Sequence, residues 1–380
     1  MDFRLTDEQS FLQQTLRDFA SREIAPDAMA RDEASAFPYA LIPKLAALKL
    51  FGIGIPENLG GGGMGTMETV IILEELARVD GAVALIVASH NALCTAHLYR
   101  FGDAYQRKTF VVPLAKGERL GAWALTEAGS GSDAAAMKTN AVMEGDHWVI
   151  SGGKLFITQG STAGIYVVMA KTDPEPGVKG ISAFVVPRET QGLIVGRVEK
   201  KLGVCASDTA AIHLEKVRVP KENLIGQLHH GFQDALEILN GGRIGIAAMA
   251  VGLARGALEA SMRYAKTREQ FGHAIGLFQA IQSKLSDMST EVDAARLLVY
   301  RAALLKDRGQ SYQLAAAEAK LFASEVAMRT THQAIQIHGG LGYMKEAEVE
   351  RIFRDAKLCE IGEGTSEIQR NVIAKVLLNS

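Results

Sequence analysis

Apolar positions in the first third of the chain recur at helical spacing. Leu12, Leu16, Phe19, Ala20 and Ile24 share one face, and Thr6 with Gln9 forms a capping box ahead of them. Pro26 ends that helix, because proline has no N–H to continue it and its ring crowds the preceding turn. Helical patterns run on to about residue 120, broken by the loop Pro56-Glu57-Asn58-Leu59 and the glycine run Gly60 to Gly63. From Gly121 to about Pro220 the period changes. Short β-rich runs appear at 148–150, 155–158, 165–168, 181–186 and 212–214, separated by turns containing Gly and Pro. No long helix lies between them, so an antiparallel barrel or sandwich is expected and a Rossmann sheet is not.

The last third returns to helix. Phe278, Ile281, Leu285, Met288, Val292, Ala295, Val299 and Ala302 alternate spacings of three and four. Leu314, Ala317, Leu321, Ser324, Met328, Thr331 and Ile335 do the same, and Gly339-Gly340 supply a stop. Two such stripes predict helices packed in an antiparallel bundle. The expected architecture is mainly α with a central β domain. It comprises an N-terminal helical domain (1–120), a small antiparallel β-barrel or sandwich (121–225) and a C-terminal four-helix bundle (226–380).

Composition narrows the function. A chain of 380 residues exceeds one ordinary core, which fits two or three units. Its net charge of -2 is spread along the chain, without the basic face a nucleic-acid binder needs. Cys94, Cys205 and Cys359 lie far apart, which fits a reducing compartment and neither a disulfide framework nor a thiolate zinc site. The segment Met1 to Asp7 has no signal-peptide core, and the uncharged run Ile244 to Ala254 is too short to span a bilayer. A cytoplasmic or organelle-matrix protein is expected. The nine histidines include no HExxH, GxSxG and GxxxxGK are absent, and GxGxxG occurs only within the glycine run, Gly60 to Gly65, which follows no β-rich run. No metal site is expected, and a nucleotide would have to be held without those loops. His338, on a helix stripe, reads as structural.

Four segments carry candidate chemistry, each with a plainer reading beside it. Trp123 to Asp133 begins as a strand and opens into small residues that let backbone N–H groups and hydroxyls approach a flat polar ligand, or it is an ordinary turn. Arg268-Glu269-Gln270-Phe271-Gly272, with Gln279 beyond it, offers a guanidinium suited to a diphosphate, or a solvated cap. Gln336 to Gly340 is a ligand segment or a helix C-cap. Glu363 stands between two glycines ahead of a helix beginning near Thr365, so it is a carboxylate open to substrate or an exposed loop residue.

In this order and at these distances, the segments resemble the acyl-CoA dehydrogenase family over essentially the whole chain. The matching stretches are Pro56-Glu57 with the glycine run, Leu125-Thr126-Glu127 with Gly131-Ser132-Asp133, Phe156-Ile157-Thr158 and Lys201-Leu202-Gly203. They continue with Arg268 to Gly272, Gln279, Gln336 to Gly340 and Glu363 to Arg370. The resemblance implies a helix–β–helix fold, FAD in each subunit and a tetramer built as a dimer of dimers. It further implies dehydrogenation of an acyl-CoA thioester to the trans-2-enoyl-CoA, as in fatty-acid β-oxidation. In that reading Glu363 takes the α-proton, flavin N5 takes the β-hydride, and electrons pass to an electron-transfer flavoprotein.

By the same resemblance Trp123, Leu125, Thr126, Gly131, Ser132, Phe156, Ile157 and Thr158 line the flavin, with Thr365 and Glu367 on its other side. Arg268, Phe271, Gln279, Gln336, Ile337, Gly339 and Gly340 reach the ADP half from a neighbouring subunit. Ser132, Asn240, Arg243 and Gly364 contact the acyl-CoA. Some branches carry the base just before the CoA-contacting Arg; here that position is Gly242. The glutaryl-CoA branch has an Arg where Ala84 aligns, so a dicarboxylic substrate is not expected. Ala128 stands where many members have Pro and Phe156 where many have Trp. Gly362 replaces a common Tyr, which widens the acyl pocket. Two alternatives are a flavin-dependent oxidase on the same scaffold and a non-catalytic helical scaffold. Glu363 in place of Asp and the lack of an extra domain argue against the first, and retention of Glu363 and Arg268 against the second.

Overall fold

The computed structural model describes residues 4–173 and 177–379; the first three residues of the segment read for a signal peptide lie outside them. Helix α1 (Asp7–Phe19) starts as its sequence dictates. Thr6 Oγ1 accepts from the Gln9 N–H at 3.2 Å, and Gln9 Oε1 accepts from the Thr6 N–H at 3.1 Å. Leu16, Phe19, Ala20 and Ile24 are buried. Pro26 does not end the helical run outright. The chain passes through a π turn (Ala20–Ile24) and a 3-10 turn (Ala25–Asp27) into another helix, Ala28–Ala34. A proline at the start of a helical turn has no interior partner to lose, so it redirects the chain. Helices α2 (Thr66–Ala77) and α3 (Gly81–Ser89) follow.

The middle segment forms an eight-stranded sheet. Its strands are β1 (Gly121–Ala124), β2 (Asn140–Glu144), β3 (His147–Thr158), β4 (Ile165–Lys171), β5 (Ile181–Pro187), β6 (Leu193–Val198), β7 (Thr209–Pro220) and β8 (Leu224–Ile225). The order is β6-β7-β3-β2-β4-β5-β8, with β1 paired to β4. The sheet is antiparallel except where β1 and, at one residue pair, β2 run parallel to β4. The two runs expected at 148–150 and 155–158 are one strand with two bulges against β7. Gly152-Gly153 read as a turn, but Gly152 instead lets Thr139 pack against the backbone, 2.4 Å from where a Cβ would sit.

The C-terminal segment contains α4 (Gly231–Thr267), α5 (Gln279–Asp307), α6 (Gln313–His338), α7 (Glu348–Ile361) and α8 (Ser366–Leu378). α6 packs against α4, α5, α7 and α8, so it is buried well beyond the single stripe its spacing predicts. α4 is long and apolar enough to cross a bilayer, but 89% of its most apolar window is buried inside the protein, as in a core helix. The two helical segments share one hydrophobic core, because α2 packs against both α4 and α5.

A charge network lies within that contact. Glu74 and Glu75 on α2 are almost fully buried. Glu74 pairs with Arg255 and Arg296 at 2.9 Å, and Glu75 with Arg255 at 2.7 Å and Arg78 at 3.1 Å. Arg17 reaches Glu75 from α1 at 3.3 Å with its side chain 37% exposed. Removing one partner of a buried pair strands the others without solvent. Glu74→Ala is therefore expected to cost about 3–5 kcal/mol, and Arg17→Ala under about 1 kcal/mol. Denaturation midpoints of the two variants in parallel check the ranking, and equal effects would contradict it.

Candidate active site

α7 ends at Ile361, and Gly362 leads into Glu363 and Gly364, both with left-handed φ, 54° and 95°. A non-glycine residue there costs of order 1–3 kcal/mol, so other contacts must hold it. Gln369 donates from Nε2 to the Glu363 carbonyl at 3.3 Å and to the Gly364 carbonyl at 2.8 Å. Lys320 on α6 donates from Nζ to the Gly364 carbonyl at 2.7 Å. Thr365 caps α8 by accepting from the Ile368 N–H at 3.3 Å. The Glu363 N–H donates to no group among the described residues.

The side chain turns onto α4. A Cβ added to Gly242 would lie 1.8 Å from Glu363 Oε2, so the carboxylate rests on a bare Cα. Oε2 is enclosed and has no hydrogen-bond partner. Loss of water pushes the carboxyl up to about 7, against the pull of Lys320 and Arg243. Burial also lowers Lys320, to about 8, and lowers Arg243 below its usual range. Arg243 is buried and donates to Asn240 Oδ1 at 2.6 Å, while its Nε has no partner.

On the same stretch of α4 a cavity of about 320 Å³ opens between α2, α3 and α4, walled by Ile53, Val70, Leu73, Val87, Ile238 and Ile244, with Arg100, Glu237, Lys306 and Asp307 also lining it. Gly241 and Gly245 line it and flank Gly242. Ala84 is fully buried and is not on the cavity wall; Val87 and Ala88 of the same helix are. Gly362 has an ordinary φ of -62°, and a Cβ there would meet nothing closer than the Leu358 carbonyl at 3.4 Å. A larger side chain fits this backbone, so the space beside Glu363 reflects the residue type.

The predicted flavin-lining residues gather on the sheet. Trp123 lies in β1, half-buried, with Nε1 3.3 Å from His97 Nδ1. Leu125 and Ile157 are core residues, whereas Phe156 is 61% exposed with φ 58° at a bulge. The hydroxyls of Thr126, Ser132 and Thr158 have no protein partner among the described residues, and a Cβ on Gly129 or Gly131 would meet nothing within 4 Å. Uncommitted hydroxyls, an exposed ring and open backbone suit a large flat polar cofactor such as FAD. Buried Lys154 and Glu127 shape this loop. Lys154 Nζ donates to Glu127 Oε1 at 2.8 Å and the Leu125 carbonyl at 3.1 Å, and Glu127 accepts the N–H groups of Lys138 and Thr139.

The loop after β6 joins this face to α7. Asp208 accepts from Ser161, its carbonyl accepts the Gln159 N–H, and the Val204 N–H donates to Asp355 Oδ1 at 2.5 Å.

Arg268, Phe271, Gln279 and Gln336 to Gly340 form a separate group at the far end of the bundle. Tyr264 stacks on His338 at 4.3 Å and brings the ends of α4 and α6 together, which is the structural role expected of His338. Phe271 is 90% exposed, with φ 55°. Positions 242 and 268 are separated by roughly 39 Å of continuous helix at about 1.5 Å per residue, so this group does not join Glu363 within one chain. Thr365 adjoins Glu363, and Glu367 is exposed on the first turn of α8.

Sequence reasoning missed Lys320, Gln369, Lys154 and His97. For Lys320 a signal existed, a lone cation among Ala315, Ala316, Ala317, Ala319 and Leu321.

Family models match the whole length in three parts: the acyl-CoA dehydrogenase N-terminal domain at residues 6–118, the middle domain at 122–217 and the C-terminal domain at 229–378. The chain belongs to the acyl-CoA dehydrogenase family. The short-chain-specific acyl-CoA dehydrogenase of Clostridium acetobutylicum is 45% identical, over 98% of this chain and 99% of that one. Butyryl-CoA dehydrogenase from Megasphaera elsdenii superposes with a TM-score of 0.97 at 41% identity, covering 100% of both chains. A chain solved in work on the electron transferring flavoprotein of Acidaminococcus fermentans and flavin-based electron bifurcation has a TM-score of 0.98 at 43% identity, again over 100% of both. The three-domain helix–sheet–helix fold and the enzyme class, an oxidoreductase acting on acyl-CoA, follow.

Two expectations for this acyl-CoA dehydrogenase follow from the seat of Glu363. Gly242→Ala puts a methyl group where Oε2 lies, and the flexible carboxylate end moves more cheaply than the helix. The thermal midpoint should stay close to wild type while kcat falls about 100-fold or more; a variant with wild-type kcat would show that the seat does not matter. The raised carboxyl pKa also sets a sign for stability. The folded state holds this proton more tightly than the unfolded chain, so stability falls as pH rises from about 4.5 through about 7. Glu363→Gln carries no such charge. It should melt above wild type at pH 8, and the gap should close towards pH 5; a gap that instead widened on acidification would contradict the burial argument.

Proposed function

We propose that this enzyme oxidises an acyl-CoA thioester to its trans-2-enoyl form, with Glu363 as the base that removes the α-proton. The observation that carries the reading is the enclosed, partnerless Glu363 carboxylate on Gly242, a glycine whose helix neighbours Gly241 and Gly245 line a cavity. A carboxylate with a pKa near 7 is matched to proton abstraction at neutral pH far better than a solvated one. The family relationship and the short-chain-specific relative support the same substrate class.

An α-carbon acid is too weak for a carboxylate unless charge on the thioester oxygen is stabilised as the proton leaves. The unpaired Glu363 N–H is a donor available for that oxygen, and preorganised donors of this kind contribute about 3–4 kcal/mol each. The α-proton moves to the Glu363 carboxylate, which becomes a neutral acid in a site where neutrality is favoured. Asn240, Arg243, Ser132 and the Gly364 backbone hold the acyl-CoA, and the cavity excludes water from the chain.

The residues that would hold FAD are Trp123, Leu125, Thr126, Gly131, Ser132 and Phe156 to Thr158 on the sheet, with Thr365 and Glu367 beyond. Arg268, Phe271, Gln279, Ile337 and the rest of Gln336 to Gly340 belong to the same cofactor's ADP half in a second copy, a reading their distance from Glu363 supports. It requires a homo-oligomer, in our reading a tetramer of paired dimers. When bound, FAD supplies the acceptor for the β-hydrogen and its electron pair. Electron-transfer flavoprotein is the partner we assign for reoxidation, which the Acidaminococcus fermentans likeness supports. A place in fatty-acid β-oxidation goes with it.

Glu363→Gln tests the assignment. The variant should keep FAD and the fold and bind acyl-CoA, yet lose flavin bleaching by substrate in rapid-mixing absorbance by about 1000-fold or more. Bleaching at the wild-type rate would place the base elsewhere.

A further inference from the structure

Lys320 has no place in the chemistry described so far, yet it is fully buried in the third turn of α6 beside the Glu363 turn. Burying an ammonium is costly unless hydrogen bonds and an opposite charge compensate it. Its hydrogen-bond partner is neutral: the Gly364 carbonyl at 2.7 Å, an acceptor it shares with Gln369 Nε2 at 2.8 Å. The compensating anion has to be found among its neighbours. Cys359 on α7 is also buried, and burial pushes that thiol up to about 12, so it stays neutral. Glu360 acts on Lys320 more weakly, and it is held by Lys357 at 2.5 Å. Arg243, facing from α4, repels the ammonium. That leaves the Glu363 carboxylate. The groups acting on Glu363 are in turn Lys320 from α6 and Arg243 from α4, and Lys320 acts the more strongly.

The same side chain thus serves the turn in two ways. By holding the Gly364 carbonyl, it and Gln369 fix the two left-handed residues that direct the Glu363 side chain onto Gly242. By its charge, it opposes the burial that would otherwise keep a proton on Glu363.

We propose that Lys320 is a positioning residue for the base: its ammonium locks the left-handed Glu363-Gly364 turn through the Gly364 carbonyl and keeps the enclosed Glu363 carboxylate ionised before substrate arrives. This rests on Glu363 being the base. The two contributions are separable, because Lys320→Gln retains an amide donor for Gly364 and removes the charge, whereas Lys320→Met removes both.

The test uses the FAD-loaded full-length enzyme. The Glu363 carboxyl band is isolated as the infrared difference between each protein and its Glu363→Gln counterpart, and titrated with pH; flavin reduction by butyryl-CoA is followed across the same range. In Lys320→Gln the carboxyl midpoint is expected to rise by about one unit or more. The acid limb of the flavin-reduction profile should move by the same amount, with FAD content unchanged. Lys320→Met should show the same displacement and a lower rate on the alkaline plateau as well. A midpoint and acid limb unchanged in Lys320→Gln overturn the proposal, even if the variant melts earlier, because a purely structural lysine would produce that pattern. Should Lys320→Met fail to fold, Lys320→Gln alone decides the charge. If the carboxyl midpoint rises but the wild-type flavin is not reduced by any acyl-CoA tried, the coupling stands and the function assigned to Glu363 falls.

Discussion

The contact between the Glu363 carboxylate and the bare Cα of Gly242 constrains everything around it. It requires a glycine in the middle of a long helix, where that residue costs roughly 1 kcal/mol relative to alanine. It requires a left-handed residue at the end of α7 to carry the side chain across. It leaves Oε2 without a hydrogen bond, a buried deficit worth about 1–3 kcal/mol. Each of these is unfavourable for folding alone. Together they leave a carboxylate whose affinity for a proton is far above that of a solvated one.

Such a site persists only on a rigid support. α4 provides it, since much of the helix surrounding Gly242 is buried and packed against α2, α5, α6 and α7. The Glu74–Glu75 network on α2 clasps Arg255, between three and four turns beyond Gly242, and so holds the N-terminal helices to the helix that seats Glu363. The cavity lies between the same elements. The network thus ties the walls of that cavity to the seat of Glu363, and a shift in one disturbs the other.

The sheet reaches the same place by a different route. Its loop at Val204 is fastened to α7 through Asp355, and the bulged end of β3 is fastened to that loop through Asp208. The carboxylate of Asp355 is itself buried and pushed up to about 7, with Arg351 at 3.5 Å partly offsetting the loss of water. Exposed Phe156 therefore stands at a defined position relative to α7, the helix that leads into Glu363. Phe156, Phe271 and Glu363, three predicted site residues, all adopt left-handed backbone.

The sequence alone determined the helix–sheet–helix order, the capping box at Thr6, the bundle stripes and the family, and it singled out Glu363. Those features depend on local spacing or on a recognisable string of residues, and both are legible in one dimension. It misread what depends on partners far along the chain. Gly152-Gly153, between two β-rich runs, resembled a turn because nothing nearby announces Thr139 packing against Gly152. Pro26 resembled a stop because a following helix is not a local property. Lys320 and Gln369 were passed over because their worth lies in the Gly364 carbonyl, 44 and 5 residues away. Gly242 was read only as a residue that cannot be a base. Tertiary structure made it the seat of the Glu363 carboxylate, because only when α7 closes on α4 does an absent side chain become the space that a carboxylate fills.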